Sequence, residues 1–380
     1  MQRRTFLQGS LAALAGVHLR APTLAWAKEA GLYELTARPA NYESTRNTFT
    51  TRITPLDRFY IRNHFDLPVG DAKTLASTWK LEVRGLAAKP QAFTLFDLTR
   101  LTQHTVEAVL QCAGNGRGLF TPRVPGVQWR YGAMGNAEWT GVRLADLLTI
   151  VKPDKAAKHL ELRGLDKPVI EKTPPFIRGI PIEKALHPDT IVALQMNGKP
   201  LSLQHGFPAR LVVPGWVGDD WMKWLSTIDL RADEPTAFYY ATGYRFPTTP
   251  GAPGAPVPPE QMKPMTKLVV KSQLATVSDG DVIAPGTHEL VGVAFSGEAR
   301  IKSVDITVDG GTTWQPAKLE ADSDYGFRVF RHPWEAKPGK VTIAARATDA
   351  TGATQPAKPI WNPAGYLYNA IEFVSVEVRS

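Results

Sequence analysis

Residues 247–259 read PTTPGAPGAPVPP, and this stretch divides the chain into two parts. Proline has no backbone N–H and glycine weakens regular elements, so the stretch is unsuited to a helix or a central strand. We therefore predict an extended linker of limited flexibility at 251–264. It would separate a first domain at 28–250 from a second at 265–380, because 380 residues are too many for one typical core.

The part before the linker is predicted to be an α+β domain. Strand-like runs such as 79–83 and 209–213 alternate in polarity or are rich in β-branched residues. Short helical candidates such as 95–101 and 144–148 lie between them. The pattern is not a regular strand–helix–strand repeat, which favours α+β over a parallel α/β sheet.

The part after the linker is predicted to be all β. Strand-like runs occur at 289–295, 301–308 and 339–347, and Asp309-Gly310-Gly311 is a hairpin turn signal. Several short strands within roughly a hundred residues favour an immunoglobulin-like β-sandwich. This sandwich would have no disulfide, because the whole sequence contains a single cysteine.

Residues 1–27 are typical of an export signal. The twin arginines Arg3-Arg4 precede an apolar stretch at 11–17, and Ala25-Trp26-Ala27 fits a cleavage site. The apolar stretch is too short to span a bilayer, and no later run is long enough for a transmembrane helix. We therefore predict twin-arginine export to a bacterial periplasm, a route often taken by proteins that fold around a cofactor.

The overall charge points to small anions rather than to nucleic acid. The formal net charge is +8, but lysines and arginines form no block or stripe interleaved with aromatic residues. Nucleic-acid binding is therefore not indicated. A modest positive field favours the approach of a small anionic ligand.

The single cysteine, Cys112, lies in the stretch LQCAGNGR at 110–117. Cysteines usually pair in an oxidising compartment, so a lone one suggests a protected or reactive thiol. Ala113 and Gly114 leave room for a bulky group near the backbone. Arg117 would favour the thiolate, which is the form that ligates metals. A buried cysteine with a purely structural role is the alternative.

Three further segments carry polar groups suited to binding. Tyr60-Ile61-Arg62-Asn63-His64 can donate several hydrogen bonds to an anion, although a polar loop would look the same. Residues 205–210 pair His205 with Arg210 just before an apolar strand. Residues 215–224 combine glycines, a lysine and three tryptophans, which suits a phosphate and a flat ring but equally a core. None of the familiar nucleotide, hydrolase, zinc-protease or haem-attachment motifs is present.

With these motifs the chain resembles the molybdenum-dependent sulfite oxidase/sulfite dehydrogenase family over nearly all of its length after the export signal. Further matching stretches are NGKPL at 197–201, MKWL at 222–225, DGGTTW at 309–314 and IWN at 360–362. The resemblance implies a molybdopterin-binding domain with the sulfite oxidase fold. It also implies that the immunoglobulin-like domain mediates homodimerisation.

The resemblance implies roles for individual residues. Cys112 is similar to the thiolate ligand of molybdenum, which the family carries on molybdopterin. Arg62 and Arg117 resemble the pair that binds sulfite, Tyr244 the active-site tyrosine, and Trp129 a tryptophan lining the substrate pocket. The residues that resemble the shell around the pterin and its phosphate are Tyr60, Ile61, Arg62, Asn63, His64, Asp166, His205, Arg210, Trp221, Met222 and Lys223.

The resemblance further implies a periplasmic sulfite dehydrogenase that transfers an oxygen atom to sulfite and passes electrons to a c-type cytochrome. The sequence has no haem motif, so electrons are expected to leave to a separate partner. Animal members place an extra arginine near the substrate, and the corresponding stretch 362–373 has none. A related molybdenum enzyme, either a sulfane dehydrogenase subunit or a sulfoxide reductase, is therefore an alternative, although the reductases typically lack the second domain. A third interpretation is a non-catalytic periplasmic binding protein, against which Cys112 with Arg62 and Arg117 argues.

Overall fold

The computed structural model of the protein describes residues 31–68 and 70–380. The export signal predicted at 1–27 lies outside the described residues. None of the helices within the described ranges has the length and hydropathy needed to cross a bilayer.

Strands predominate in the first part of the chain, and its helices are short. The strands described up to residue 264 are β1 (Leu32–Thr36), β2 (Asn41–Ser44), β3 (Lys80–Gly85), β4 (Gln91–Thr94), β5 (Gln103–Gln111), β6 (Met134–Arg143), β7 (His159–Gly164), β8 (Ile177–Pro181), β9 (Ile191–Met196), β10 (Lys199–Pro200), β11 (Arg210–Val212), β12 (Leu225–Arg231), β13 (Arg245–Pro247) and β14 (Met262–Pro264). The helices are α1 (Ala72–Thr78), α2 (Leu95–Arg100), α3 (Leu144–Val151), α4 (Ile182–Ala185) and α5 (Phe238–Ala241).

The second part is built from strands. They are β15 (Lys271–Leu274), β16 (Val282–Ile283), β17 (Gly286–Phe295), β18 (Ile301–Thr307), β19 (Gln315–Pro316), β20 (Lys318–Leu319), β21 (Arg328–Ala336), β22 (Gly339–Asp349) and β23 (Phe373–Val378).

Two larger sheets organise the first part, one antiparallel and one mixed. One has the order β10-β9-β6-β5, with β11 also paired to β9, and the other has the order β4-β3-β12-β7-β8. Strand β12 is parallel to β3 and antiparallel to β7, which agrees with the predicted α+β class. The predicted helices at 95–101 and 144–148 are confirmed as α2 and α3.

Local sequence patterns explain why these elements form. In α3, Leu144, Leu147, Leu148 and Val151 are buried, and this spacing puts all four on one helix face. In β3 only Leu81 and Val83 are buried, as expected of a strand with one face on the core. Helix α2 begins at a capping box in which Thr94 and Asp97 satisfy each other's backbone N–H groups.

Two sheets form the second part, with the orders β15-β17-β21-β20 and β16-β23-β22-β18-β19, and all their pairs are antiparallel except the short parallel pair β16-β23. Buried residues from both sheets, among them Leu290, Ile306, Phe330, Ile343 and Val374, share one apolar core. The predicted strands at 289–295, 301–308 and 339–347 are confirmed in β17, β18 and β22. The turn signal at 309–311 starts a longer connection between β18 and β19.

The Pro/Gly-rich stretch differs from the extended linker that was expected. Strands β13 and β14 pair antiparallel, and Thr248 N donates to Gln261 O over 2.8 Å. The stretch is therefore a loop whose ends lie side by side. Residues 262–264 form a strand because their backbone groups find partners on 245–247.

The two parts are packed against each other over a large apolar cluster. Phe49, Met134 and Val217 of the first part meet Val293 and Phe327 of the second. Backbone hydrogen bonds also join them, because Val109 N donates to Tyr325 O and Leu367 N donates to Ala113 O, both over 2.9 Å. The second contact brings the segment before β23 to the end of β5, where Cys112 lies.

Candidate active site

Cys112 is held by the loop that follows β5. Its backbone N–H donates to Ala133 O, and its carbonyl accepts from Asn115 N, both over 2.9 Å. The buried Asn115 side chain accepts from Ala133 N over 3.1 Å and donates to Gln111 Oε1 over 3.2 Å. The thiol is 6% exposed, forms no disulfide, and faces a cavity.

That cavity is partly open to solvent, and the space in it that can hold water-sized molecules is about 60 Å³. Most of the residues singled out from the sequence line it. They are Tyr60, Arg62, His64, Cys112, His205, Arg210, Trp221, Lys223 and Tyr244. The wall is completed by Leu110, Ala113, Phe176, Gln204, Gly218 and Asp219.

Some of the singled-out residues lie behind this wall. Ile61 is fully buried in a small cluster with Leu32 and Tyr42. Met222 belongs to the main core, and its carbonyl accepts from Leu211 N over 2.8 Å. Both therefore support the fold around the cavity and do not line it.

Three further residues lie close to the wall without being part of it. Asn63 donates to Gln204 Oε1 over 3.2 Å and accepts a hydrogen bond from Lys223. Burial raises the pKa of Asp166 to about 6, against the opposing charge of Lys223. Trp129 is fully buried and packs edge-on to Tyr60 with ring centroids 6.3 Å apart, and its indole N–H finds no partner within residues 31–68 and 70–380.

One side of the cavity is strongly cationic. Lys223 Nζ donates to Gln204 O over 3.0 Å, and Arg210 donates to His205 O over 3.1 Å and to Trp221 O over 3.0 Å. Burial, with the neighbouring Arg210, lowers the pKa of Lys223 well below its ordinary value. Burial and then Lys223 lower the pKa of His205 to about 3, and burial lowers that of Arg210 to about 10.

These depressed pKa values mean that positive charge is poorly compensated on this side of the cavity. The buried Arg210 Nε also has no hydrogen-bond partner among the described residues. An unpaired buried guanidinium N–H is costly, so an anionic ligand here would stabilise the wall.

The cavity lining also contains a tyrosine–histidine pair beside Arg62. Tyr244 Oη and His64 Nε2 are 2.6 Å apart, and the His64 ring stacks on Phe176 with centroids 4.0 Å apart. Burial and then Arg62 lower the pKa of His64 well below its ordinary value, so the imidazole is neutral. Burial raises the pKa of Tyr244 well above its ordinary value, so the phenol keeps its proton and shares a hydrogen bond with His64 Nε2.

Arg117 is not among the residues that line the cavity, and its guanidinium, beside the Cys112 loop, is held by backbone atoms. Its Nε donates to Ala364 O over 2.9 Å, and its Nη1 donates to Val127 O over 3.3 Å. A Cβ on Gly114 would lie 2.6 Å from Arg117 Cζ. The room predicted beside Cys112 therefore exists, and the Arg117 guanidinium occupies it.

A buried ion cluster that no sequence motif indicated lies next to this site. Arg178 donates to Asp220 Oδ1 over 3.0 and 2.7 Å and lies 2.8 Å from Asp219 Oδ2. Burial raises the pKa of Asp219 to about 6 and that of Asp220 to about 8, although the charge of Arg178 opposes the rise in both. Arg178 also lies 5.1 Å from the Tyr244 ring centroid. The adjacent Asp219 and Asp220 were the feature of the sequence that could have indicated this cluster. Their partner could not be found in the same way, because Arg178 is 42 residues from Asp220 along the chain.

The donor set fits a soft metal that arrives on an organic cofactor. No group of three or more His, Cys, Asp or Glu side chains suited to a metal ion occurs in residues 31–68 and 70–380. Cys112 alone offers a soft thiolate, so further ligands would have to come from a bound group. The cationic wall with its unpaired Arg210 Nε would receive an anionic part of that group.

Comparisons with known proteins agree with this geometry. Residues 64–239 match the oxidoreductase molybdopterin binding domain family, and residues 262–379 match the Mo-co oxidoreductase dimerisation domain family. The chain is 32% identical over 356 residues to a sulfite oxidase of Arabidopsis thaliana, covering 87% of this chain and 89% of the relative. It is 34% identical over 365 residues to the mitochondrial sulfite oxidase of Drosophila melanogaster, covering 90% of this chain and 62% of that relative.

The match to a solved structure shows the same fold. The sulfane dehydrogenase SoxCD from Paracoccus pantotrophus aligns with a TM-score of 0.77 at 24% identity, over 98% of this chain and 96% of that one. The chain spans less than two thirds of the mitochondrial relatives, such as 64% of the mouse enzyme, and most of the plant one. The family resemblance predicted from the motifs is thus confirmed, and the chain belongs to the sulfite oxidase family of molybdopterin-dependent oxidoreductases.

Proposed function

We propose that this protein oxidises sulfite to sulfate in the cavity around Cys112. The observation that carries the proposal is that the one thiol of the chain lines a cavity together with Arg62, Arg210 and Lys223. Sulfite is a small doubly charged anion, for which guanidinium groups are the expected receptors. The relatives named sulfite oxidase support the same substrate.

The residues that would hold molybdopterin lie on two sides of Cys112. Cys112 would supply the protein's ligand to molybdenum, and Arg210, Lys223 and His205 would bind the anionic part of the pterin. The bound cofactor supplies oxygen-atom transfer and takes up two electrons from the substrate. The protein contributes position, charge and exclusion of water.

The substrate side is formed by Arg62, Arg117 and Tyr244. Arg62 and Arg117 bind and orient the anion, and the protonated Tyr244 phenol, held by the neutral His64, orients the polar groups beside it. Phe176 and Trp221 give the cavity apolar walls, which strengthens the charge-assisted contacts inside it.

We further propose a cellular location, an electron acceptor, a fold for the second domain and an oligomeric state. Export to the periplasm is supported by the twin-arginine motif and cleavage site at 1–27. A c-type cytochrome as acceptor is supported by the absence of any haem-attachment motif in this sequence. The two facing sheets of the second part support an immunoglobulin-like sandwich, and its match to a dimerisation domain supports a homodimer.

A related substrate is the second candidate. The stretch 362–373 has no arginine, and Tyr366 stands there beside the site. A pocket with less positive charge suits a sulfane or another sulfur substrate of lower charge. This alternative shares the cofactor and Cys112 with the first, so only substrate assays separate the two.

The test uses protein purified from a host that makes molybdopterin. We expect molybdenum in an equimolar amount to the chain and sulfite oxidation with ferricyanide as acceptor. Protein without molybdenum under these conditions would contradict the cofactor assignment. Molybdenum-loaded protein that oxidises thiosulfate or a sulfane substrate but leaves sulfite unchanged would support the second candidate.

A further inference from the structure

We infer that Tyr366, contributed by the second domain, is a positioning residue that holds Arg117 and Tyr244 for anion binding. The inference rests on the proposed function, because that function gives Arg117 and Tyr244 their place at the substrate. Tyr366 belongs to none of the binding motifs in the sequence. It is identified by what its ring touches.

Tyr366 is presented by a tight turn that starts at Asn362. Gly365 N donates to Asn362 O over 3.0 Å, and Tyr366 N donates to Asn362 Oδ1 over 2.9 Å. Asn362 Nδ2 donates in return to Tyr366 O over 2.9 Å, and the Asn362 side chain is 1% exposed. Because one buried amide satisfies both backbone groups of Tyr366, the turn has little freedom to move.

The same turn encloses the Arg117 side chain. Gly365 has a φ of +62°, and a Cβ there would lie 2.8 Å from Arg117 Cγ and 2.5 Å from Val124. The neighbouring carbonyl of Ala364 accepts from Arg117 Nε over 2.9 Å. Glycine is therefore required at 365 both by the backbone conformation and by the space that Arg117 takes.

The Tyr366 ring contacts both residues of the substrate side. It stacks on the Tyr244 ring with centroids 5.3 Å apart and planes 15° apart, and the Arg117 guanidinium lies 5.1 Å from its centroid. A cation over an aromatic face is attracted by the ring, and the attraction is stronger where water is excluded. Arg117 Nη2 has no hydrogen-bond partner among the described residues, so it remains available to an anion.

The turn is tied to the Cys112 loop as well as to its own domain. Leu367 N donates to Ala113 O over 2.9 Å, one residue from Cys112. Lys271 Nζ, from β15, donates to Tyr368 O over 3.2 Å. The second domain thus contacts the site through one turn that hydrogen bonds hold in place. The substrate side is incomplete without this turn.

The test compares Tyr366→Phe and Tyr366→Leu in the molybdenum-loaded protein. Phenylalanine keeps the aromatic face, and leucine removes it. The matched control is Tyr33→Leu, because Tyr33 lies under the Arg130 guanidinium at 4.0 Å but is half exposed and does not line the cavity. We would measure sulfate binding by isothermal titration calorimetry, KM and kcat for sulfite with ferricyanide, and the melting temperature.

We expect Tyr366→Leu to bind sulfate about tenfold more weakly and to raise KM for sulfite by a similar factor, with a smaller change in kcat. Tyr366→Phe and Tyr33→Leu should match the wild type. If Tyr366→Leu unfolds at the assay temperature, Tyr366→Met replaces it, since methionine fills more of the space without an aromatic face.

Wild-type sulfate affinity in the leucine and methionine variants would overturn the inference. So would a phenylalanine variant as weak as leucine, an equal loss in Tyr33→Leu, or a wild type that binds no sulfate. A wild type that binds sulfate but does not oxidise sulfite contradicts the proposed function instead. In that case the sulfate affinities still decide the role of Tyr366.

Discussion

Replacing Gly114 with alanine would place a methyl group where the Arg117 guanidinium lies. The added Cβ would be 2.6 Å from Arg117 Cζ and Nη2 and 2.8 Å from Nη1. Ordinary contacts between such atoms are roughly 3.5 Å or longer, so the guanidinium must move by several tenths of an ångström or more. The guanidinium is the end of a long, flexible side chain, whereas Gly114 belongs to the Cys112 loop, which several hydrogen bonds hold in place. We therefore expect the guanidinium to move and the loop to stay.

The movement should weaken substrate binding strongly and lower the free energy of unfolding only slightly. Arg117 Nη1 would lose or lengthen its 3.3 Å hydrogen bond to Val127 O, and Nη2 would leave its place at the substrate side. A charge-assisted contact contributes about 1.5–3 kcal/mol, so KM for sulfite should rise about ten- to a hundredfold. The free energy of unfolding should fall by no more than about 1 kcal/mol, since no core packing is lost.

The assay is steady-state sulfite oxidation in Gly114→Ala, Arg117→Gln and the double variant, with sulfate as a competitive inhibitor. If the alanine acts through the guanidinium, the double variant should be no worse than Arg117→Gln alone. An unchanged KM in Gly114→Ala would refute the steric reasoning. Losses that multiply in the double variant would show that the alanine disturbs the Cys112 loop itself.

Four further predictions test other parts of the site, the fold and the route of the electrons. Cys112→Ser should abolish turnover and lower the molybdenum content, because a hydroxyl is a poor substitute for a soft thiolate; full metal content with activity would contradict the role of Cys112. Arg62→Gln should raise KM for sulfite about ten- to a hundredfold, and unchanged kinetics would make Arg62 a structural residue. Against the effect of burial, hydrogen bonds from Lys267 and Lys184 lower the pKa of Glu298 from its ordinary 4.5 to about 2. The pKa is lower in the folded state, so the stabilisation is present above about pH 4.5 and is lost as the pH falls towards 2. Burial lowers the pKa of Lys184 and the Glu298 side chain is 32% exposed, so Glu298→Gln should cost about 1–2 kcal/mol near neutral pH. In urea unfolding this difference from the wild type should shrink near pH 3, and a constant difference would rule out the ion pairs as its source. Reduction of a c-type cytochrome should slow as salt rises, because charges are screened beyond about 8 Å at physiological ionic strength; faster reduction of oxygen than of cytochrome would make the protein an oxidase.

The elements that could be predicted are those whose signal is local. The burial of one α3 face and the alternation in β3 follow from side-chain spacing along a few residues. The loop at 247–259 was predicted as irregular for the same reason. Its closure by β13 and β14 could not be predicted, because strand pairing depends on which distant segments meet.

The site residues likewise divide into those that local segments of sequence indicated and those whose position depends on packing. The segments around Tyr60, Cys112, His205 and Lys223 each carry binding groups within a few residues, so their chemistry was visible before any fold was known. Trp129 and Ile61 were grouped with them by resemblance, but packing places both behind the cavity wall. Sequence motifs indicate which residues lie near a site. Whether a side chain faces the cavity or the core depends on how the folded chain packs around it.

The sequence by itself determined two things about this protein: that it has two unlike parts, and that its chemistry centres on one thiol among cationic segments. Only the tertiary structure decided how the second part completes the site. Arg117 donates to Ala364, 247 residues away, and Arg178 pairs with an aspartate 42 residues away. Such contacts leave no pattern along the chain, because their geometry exists only after both domains have buried their apolar faces and docked. Tyr366 acquires its role in this way, from the two side chains that folding places against its ring.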